Sequence, residues 1–303
     1  MKAVYFGTSE FAVPSLEAIS EDVVLVVTQP DRESGRGLKL TPSAVKRKAL
    51  ELGIEVATPE RARAKAFVQR LEDLEPDIFV VASFGQILSQ KLLDVPRIGS
   101  FNLHASILPQ YRGAAPIQYS ILNGDQESGV TLMQMNAGMD TGDIVKISRT
   151  PIGADETAGE LHDRLATFAA ELIREEWYSL TTGDYQRTKQ VDEEASYAPK
   201  FDRSLAELQP TADAASEYNR LRAFTPFPGA WMKTTQGDLK VLKARKGQGS
   251  GLPGEILATA NGLEVAFAQD SLMFEAVQLK GRRAVSGAEF ANGARLTVGD
   301  CLI

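Results

Sequence analysis

Val23-Val-Leu-Val-Val-Thr28 is an unbroken apolar run closed by a threonine. A strand with one wet face alternates apolar and polar side chains, so a continuous run predicts a strand covered on both faces. Working outward, Lys2-Ala-Val-Tyr-Phe6 is a shorter run stopping at Gly7. Asp77-Ile-Phe-Val-Val-Ala-Ser83 and Ile98-Gly-Ser-Phe-Asn-Leu-His104 are of the same kind. Between them, Phe11 to Ile19, Pro42 to Gly53 and Phe67 to Glu72 read as helices, the second ending at a glycine. Ile54-Glu-Val-Ala57 is another short strand, and Gln29 to Leu40 reads as a polar, glycine-bearing loop. Strands alternating with helices predict βαβ units and an α/β fold with a mostly parallel, Rossmann-like sheet. On such sheets ligands bind beyond the carboxyl ends of the strands, near a topological switch point. Asn102 and His104 stand at one such end.

Beyond residue 150 the pattern changes. Thr157 to Leu180 predicts a long amphipathic helix, with Leu161, Leu165, Phe168, Leu172 and Ile173 at helical spacing. Thr181 to Gln209 has no sustained period and reads as a linker with local turns. Ala214 to Phe224 reads as a short helix. From Ala230 onward, short β-type runs (Ala230–Thr234, Leu239–Lys243, Gly254–Ala258, Gly262–Phe267, Ser271–Val277) recur at about ten-residue spacing between glycine or polar turns. That spacing predicts a small antiparallel β-barrel.

The composition of the 303 residues is that of a soluble globular protein, with 43% hydrophobic and 24% charged residues. No run of about 18 apolar residues occurs and the N-terminus lacks a signal-peptide core, so a cytoplasmic protein is expected. A single cysteine, Cys301, cannot form an internal disulfide, which suits a reducing compartment. The net charge of −7 is unevenly spread. Residues 1–199 carry 20 Lys+Arg against 29 Asp+Glu, and residues 200–303 carry 13 against 11. The C-terminal third is thus relatively basic, with clusters at Lys240, Lys243, Arg245, Lys246 and at Lys280, Arg282, Arg283. Such clusters are usually a solvated face and only hint at a polyanionic partner.

The chain has two histidines, His104 and His162. His162 lies within the amphipathic helix and reads as structural. Residues 102 and 104 are two apart on an extended chain, so both side chains point to one face. An amide donor beside a group that titrates near neutral pH suits a reaction that needs a proton carrier next to a developing oxyanion. A histidine merely satisfied within the fold is an equally weighted reading. A carboxylate would fix the imidazole and stabilise its charged form. Gly138-Met-Asp140-Thr-Gly142-Asp143-Ile144 offers two, and spacing does not choose between Asp140 and Asp143. One cysteine and two distant histidines give no zinc-type ligand set. Gly35-Arg-Gly37 lacks the phosphate-loop pattern and Gly7-Thr-Ser-Glu is not a dinucleotide fingerprint.

The order Asn102-Leu-His104-Ala-Ser106-Ile-Leu-Pro109, Tyr111-Arg-Gly-Ala-Ala-Pro116, Gly129-Val-Thr-Leu-Met-Gln-Met135 and Met139-Asp140-Thr-Gly-Asp143-Ile closely resembles the 10-formyltetrahydrofolate-dependent formyltransferases. Val4 to Ala12 resembles the family's opening strand and turn, and Gln29-Pro-Asp-Arg32 with Gly35-Arg-Gly37 its substrate loop. Ser196-Tyr-Ala-Pro-Lys200 and Arg222 to Ala230 resemble its linker and second-domain entry. The resemblance implies a formyltransferase domain over 1–183, a linker over 184–208 and an OB-like β-barrel that binds tRNA over 209–303. It selects Asp140 over Asp143 and implies that Asn102, His104 and Asp140 are catalytic. Ser106, Ile107, Leu108 and Pro109 are implied folate contacts, together with backbone from Phe84, Gly85, Gln86, Ile87 and Leu88 and the loop with Thr141, Gly142 and Asp143. Folate is implied as a consumed co-substrate, with no metal.

For the acceptor, the resemblance implies the amino group of methionyl-tRNA, the initiator species used in translation initiation. Arg32, Arg36 and Lys39 of the substrate loop and Lys200 of the linker are the implied tRNA contacts, and a monomer is expected. A small basic barrel is a common nucleic-acid platform, which suits that acceptor. Ala105 and Ile107 stand where proline and leucine are common in the motif, a mild departure at positions whose backbone makes the contacts. Two other readings remain: a hydrolase releasing formate from the same folate, and a catalytically silent tRNA- or nucleotide-binding protein.

Overall fold

The computed structural model describes residues 1–34 and 39–303. They form two compact units, one of residues 1–116, 127–151 and 162–198 and the other of 117–126, 152–161 and 199–303. The first unit contains strands β1 (Ala3–Gly7), β2 (Val23–Val27), the hairpin β3 (Arg32–Ser34) and β4 (Lys39–Thr41), β5 (Val56–Ala57), β6 (Ile78–Ala82) and β7 (Gly99–His104). After these come β8 (Arg112–Gly113), β9 (Glu127–Gln134), β10 (Ile144–Pro151) and β11 (Tyr197–Ala198).

Seven of these strands form one sheet in the order β10-β9-β7-β6-β1-β2-β5. The members β5, β2, β1, β6 and β7 are parallel, while β9 and β10 add on antiparallel. The parallel strands are the continuous apolar runs of the sequence, and β1 and β6 are buried at every position. Phe6 of β1 packs on Phe79 of β6 and, edge-on, on Phe84 just beyond it, with ring centroids 5.0 and 5.4 Å apart. A fully buried phenylalanine contributes about 1.5–3 kcal/mol, so this stack makes a firm floor under the carboxyl ends of the strands. The chain runs β1, β2, β5 outward on one side and then returns to place β6 on the other side of β1. The switch point therefore lies between β1 and β6. Gly7 ends β1 there, and a Cβ on it would stand 2.8 Å from the Tyr5 ring and 2.9 Å from Ala12, so only glycine lets the following turn pack so closely.

Helices α1 (Val13–Ala18), α2 (Ala44–Glu51), α3 (Lys65–Leu74), α4 (Gln90–Leu93), α5 (Pro116–Leu122) and α6 (Ala158–Thr182) occupy the connections. None of the described helices is long and apolar enough to cross a membrane. The region read as a loop over 29–40 contains the β3–β4 hairpin. Arg32, Glu33, Leu40 and Thr41 are exposed, and one apolar residue among the six gives no alternation from which strands could be read.

In the second unit, which also takes in most of α5 and the first turn of α6, residues 199–303 form α7 (Ala214–Ala223), β12 (Trp231–Thr234), β13 (Gly237–Lys246), β14 (Ile256–Ala258), β15 (Leu263–Ala266), β16 (Ser271–Leu279), β17 (Val285–Ser286) and α8 (Gly287–Ala294). Its antiparallel sheet has the order β12-β13-β16-β15-β14, with β17 on β16. The sheet curls around a core that includes Tyr218, Leu221, Met232, Leu239, Val241, Phe274 and Leu302. Residues 299–302 run along the outer edge of β14. The Ile256 N–H donates to the Asp300 carbonyl and the Leu302 N–H to Gly254, both at 2.8 Å, and Leu302 in turn accepts from Thr235 N–H at 3.1 Å. The sheet is thereby drawn toward closure, in the antiparallel barrel class expected from the spacing of its strands. Helix α8 is absent from the sequence reading. Its capping box is plain in hindsight, with the Ser286 and Glu289 side chains each accepting from the other's backbone N–H. Two glycines in eight residues obscured it.

Candidate active site

Strand β7 brings the first two residues together. It lies between β6 and β9, with Asn102 opposite Val81 and Met133 and His104 opposite Thr131. Alternation on the pleat puts Asn102 and His104 on one face. Both are buried, at 9% and 6% exposure. Among the described residues no hydrogen bond holds the Asn102 carboxamide. Among the described residues Arg222 Nε is the one buried side-chain nitrogen or oxygen without a hydrogen bond, so the Asn102 amide still reaches solvent and its uncommitted donors stand open to an oxygen acceptor.

His104 is oriented by the turn that leads out of β7. Its Nε2 lies 2.9 Å from the Tyr111 carbonyl oxygen. A carbonyl only accepts, so the hydrogen sits on Nε2 and Nδ1 is left for chemistry. Nδ1 stands 3.8 Å from Asp140 Oδ2. That distance is too long for a direct hydrogen bond but short enough for strong attraction once the ring is charged. The Asp140 carboxylate also accepts from the Gly113 N–H at 2.8 Å. Asp143 is placed differently: it leads into β10, and its carbonyl accepts from the Gln134 N–H. His162 is remote from this cluster in the chain, edge-on to Phe11 and 2.9 Å from Asp163.

The loop bearing Asp140 folds tightly. Asp140 has φ of +54°, a left-handed conformation that aspartate tolerates better than most residues. Two residues on, a Cβ at Gly142 would fall 1.8 Å from the Gln134 carbonyl oxygen, so glycine is required there. Thr141 Oγ1 donates to Asn136 Oδ1 at 2.8 Å and closes the loop on itself.

The turn after His104 is fixed from β9. The Thr131 hydroxyl donates to the Ser106 carbonyl at 2.6 Å and accepts from the Leu108 N–H at 3.1 Å. Ser106 Oγ donates to the Gln110 carbonyl at 2.6 Å, and Leu108-Pro109 is cis. Ser106 and Leu108 are buried, whereas Ile107 and Pro109 are partly accessible. The segment Phe84–Leu88 lies just past β6, at the switch point. Phe84 and Leu88 are buried, and the Phe84 carbonyl accepts from Thr8 Oγ1 and Gln29 Nε2. Gln86 is pinned between the Pro59 carbonyl and the Ala62 N–H, and Gly85 has φ of +80°. Ile87 here and Met139 beside Asp140 are exposed apolar side chains, at 79% and 59%. Each of the two loops implied to hold a pterin thus offers an apolar side chain to solvent.

Of the residues implied to touch tRNA, Arg32 on β3 and Lys200 are exposed. Arg36 and the Lys39 side chain lie outside the described residues. Several neighbours of the cluster were given no role by the sequence reading: Tyr111, Arg112 and Thr131, which stand inside the quoted motifs, and Gln190, which stands outside them. Gln190 donates to the Asp140 and Gly142 carbonyls, yet it sits in the stretch read as a linker, and nothing local in the sequence marks it.

Comparison with known proteins places these features in a family. The description "Formyl transferase" matches residues 2–176, and "Formyl transferase, C-terminal domain" matches 205–295. A methionyl-tRNA formyltransferase of Citrifermentans bemidjiense is 42% identical over 306 residues, which is 100% of this chain and 96% of that protein. One from Pseudomonas paraeruginosa is 44% identical, with 97% of this chain and 96% of that protein covered. Among solved structures, an N-formyltransferase from Helicobacter canadensis in complex with folinic acid and dTDP-3-aminofucose superposes with a TM-score of 0.67 at 21% identity. It covers 90% of this chain and 98% of its own, and it speaks to the fold alone.

Proposed function

The chain belongs to the formyl transferase family, and from that premise we propose that it moves a formyl group from 10-formyltetrahydrofolate to the amino group of methionyl-tRNA. Near-full-length similarity to methionyl-tRNA formyltransferases supports this acceptor. The structural likeness to a formyltransferase crystallised with folinic acid supports a folate donor. A folate and a charged initiator tRNA both belong to the cytoplasm, which is where the reaction is proposed to run.

The observation that carries the chemistry is the His104 imidazole, tied at Nε2 to Tyr111 and facing Asp140 with Nδ1. In the proposed mechanism the neutral amine attacks the formyl carbon on N10, and the carbonyl oxygen becomes an oxyanion. Asn102 donates from its carboxamide to that oxygen. His104 takes the amine proton at Nδ1, and Asp140 stabilises the resulting imidazolium. The C–N10 bond then breaks, and the same proton passes to N10. The products are the formylated amine and tetrahydrofolate. The turn 106–109, the segment 84–88 and the loop 141–143 hold the folate. Residues 209–303, with Lys200 and the loop carrying Arg32, Arg36 and Lys39, hold the tRNA.

One assay tests this reading. The protein is incubated with 10-formyltetrahydrofolate and charged initiator tRNA, then with each omitted. Formylated methionyl-tRNA is expected only with both. Formate released without tRNA would favour the hydrolase, and no turnover in any mixture would favour a silent binder.

A further inference from the structure

We propose that Gln190 is a positioning residue for formyl transfer: through its carboxamide the buried Arg112 sets the backbone of Asp140, and with it the carboxylate that faces His104. The inference rests on the reaction proposed above. Its origin is a short segment, Tyr111-Arg112-Gly113, that touches both partners of the proton relay. The Tyr111 carbonyl fixes His104, and the Gly113 N–H fixes the Asp140 carboxylate. Arg112 lies between them and is 2% exposed, the largest fully buried side chain in the protein among the described residues.

A buried guanidinium must place its donors on acceptors. Arg112 gives Nε and Nη2 to Gln190 Oε1, at 3.0 and 2.9 Å, and Nη2 also to Asp192 Oδ1 at 2.8 Å. Gln190 Oε1 is thereby committed, which fixes the orientation of the amide. Its Nε2 must point the other way, and it donates to the Asp140 carbonyl at 2.8 Å and the Gly142 carbonyl at 2.7 Å. A flipped amide would set its oxygen against two carbonyls and its NH₂ against the guanidinium, so only one orientation is tolerable.

Asp140 needs such a hold. Its left-handed backbone is one that surrounding contacts must maintain. The carbonyl held by Gln190 and the carboxylate held by Gly113 belong to the same residue, so Asp140 is gripped at both ends by the Arg112 segment. One grip is direct and the other runs through Gln190. Gln190 touches none of the proposed reacting groups; its effect is to set the gap between Asp140 and His104. The 184–198 segment is therefore part of the site's support. It pairs Thr188 with Ile144 and β11 with β8 on either side of Gln190.

The test uses Gln190→Ala and Gln190→Glu in the full-length protein, beside wild type. Loosening Asp140 is expected to lower kcat by on the order of 10²-fold, the cost of a reacting group displaced by about 1 Å, with KM for methionyl-tRNA unchanged. The glutamate keeps an oxygen for Arg112 but turns two donors into a repulsion with the carbonyls, so it is expected to be no better than alanine. Because the chain has two histidines, His162→Gln assigns the imidazole signals in ¹⁵N-edited spectra. In Gln190→Ala the His104 signals are expected to move while those of His162 stay. Unmoved His104 signals, or wild-type kcat in either variant, would overturn the proposal. The spectra read the His104–Asp140 geometry without turnover, so a wild type that fails to formylate would sink the reaction and leave this inference to be decided by the spectra.

Discussion

His104 commits one ring nitrogen to Tyr111, and the proposed chemistry rests on the other. His104→Ala is expected to lower formyl transfer by at least roughly 10²-fold, the usual worth of a positioned acid–base group. Near-normal single-turnover rates would remove it from the mechanism. Asn102→Ala is expected to lower kcat by about 10²–10³-fold, as for loss of one oxyanion donor. A rise in KM at constant kcat would instead make Asn102 a binding residue. Both side chains were legible because a two-residue spacing on a strand is a local fact. Asp140 was half legible, since spacing alone left Asp143 as an equal candidate and only the ordered motifs separated them. Arg112 stood inside a quoted motif without a role, and Gln190 was not legible at all. They lie 78 positions apart in the chain, and a hydrogen bond of that span leaves no periodic trace.

At the scale of elements, strands were easiest to read where both faces are covered, because burial writes itself as a continuous apolar run. The exposed β3–β4 hairpin and the glycine-bearing α8 have no such run, so they passed as loop. Helix α7 was legible, and the structure adds its cap. The Asp213 carboxylate accepts from the Ser216 N–H at 2.8 Å, and backbone hydrogen bonds hold it below the usual carboxylate range. Asp213→Ala is expected to destabilise the second unit by about 1 kcal/mol, read by chemical denaturation. The sign with pH follows from the depressed folded value. The cap's contribution is present above the unfolded carboxylate range and is lost as pH falls through the folded one. The wild-type advantage over the variant should thus vanish in acid; an advantage that persists there would assign it to packing.

For the whole molecule, the uneven charge is the feature that bears on the acceptor. The chain is acidic overall, yet residues 200–303 carry an excess of Lys+Arg. That balance was visible from composition. Arg36→Ala is expected to weaken use of tRNA and to flatten the salt dependence by roughly the slope of one phosphate contact, about 0.7–0.9. Unchanged kinetics at every salt concentration would take that loop out of tRNA binding. Residues 299–302 carry little charge and no basic side chain, yet they hold the sheet of the second unit together. Leu302 is completely buried while its backbone links Gly254 to Thr235. Loss of residues 299–302 would therefore open a seam in the second unit while every basic side chain remained in the chain.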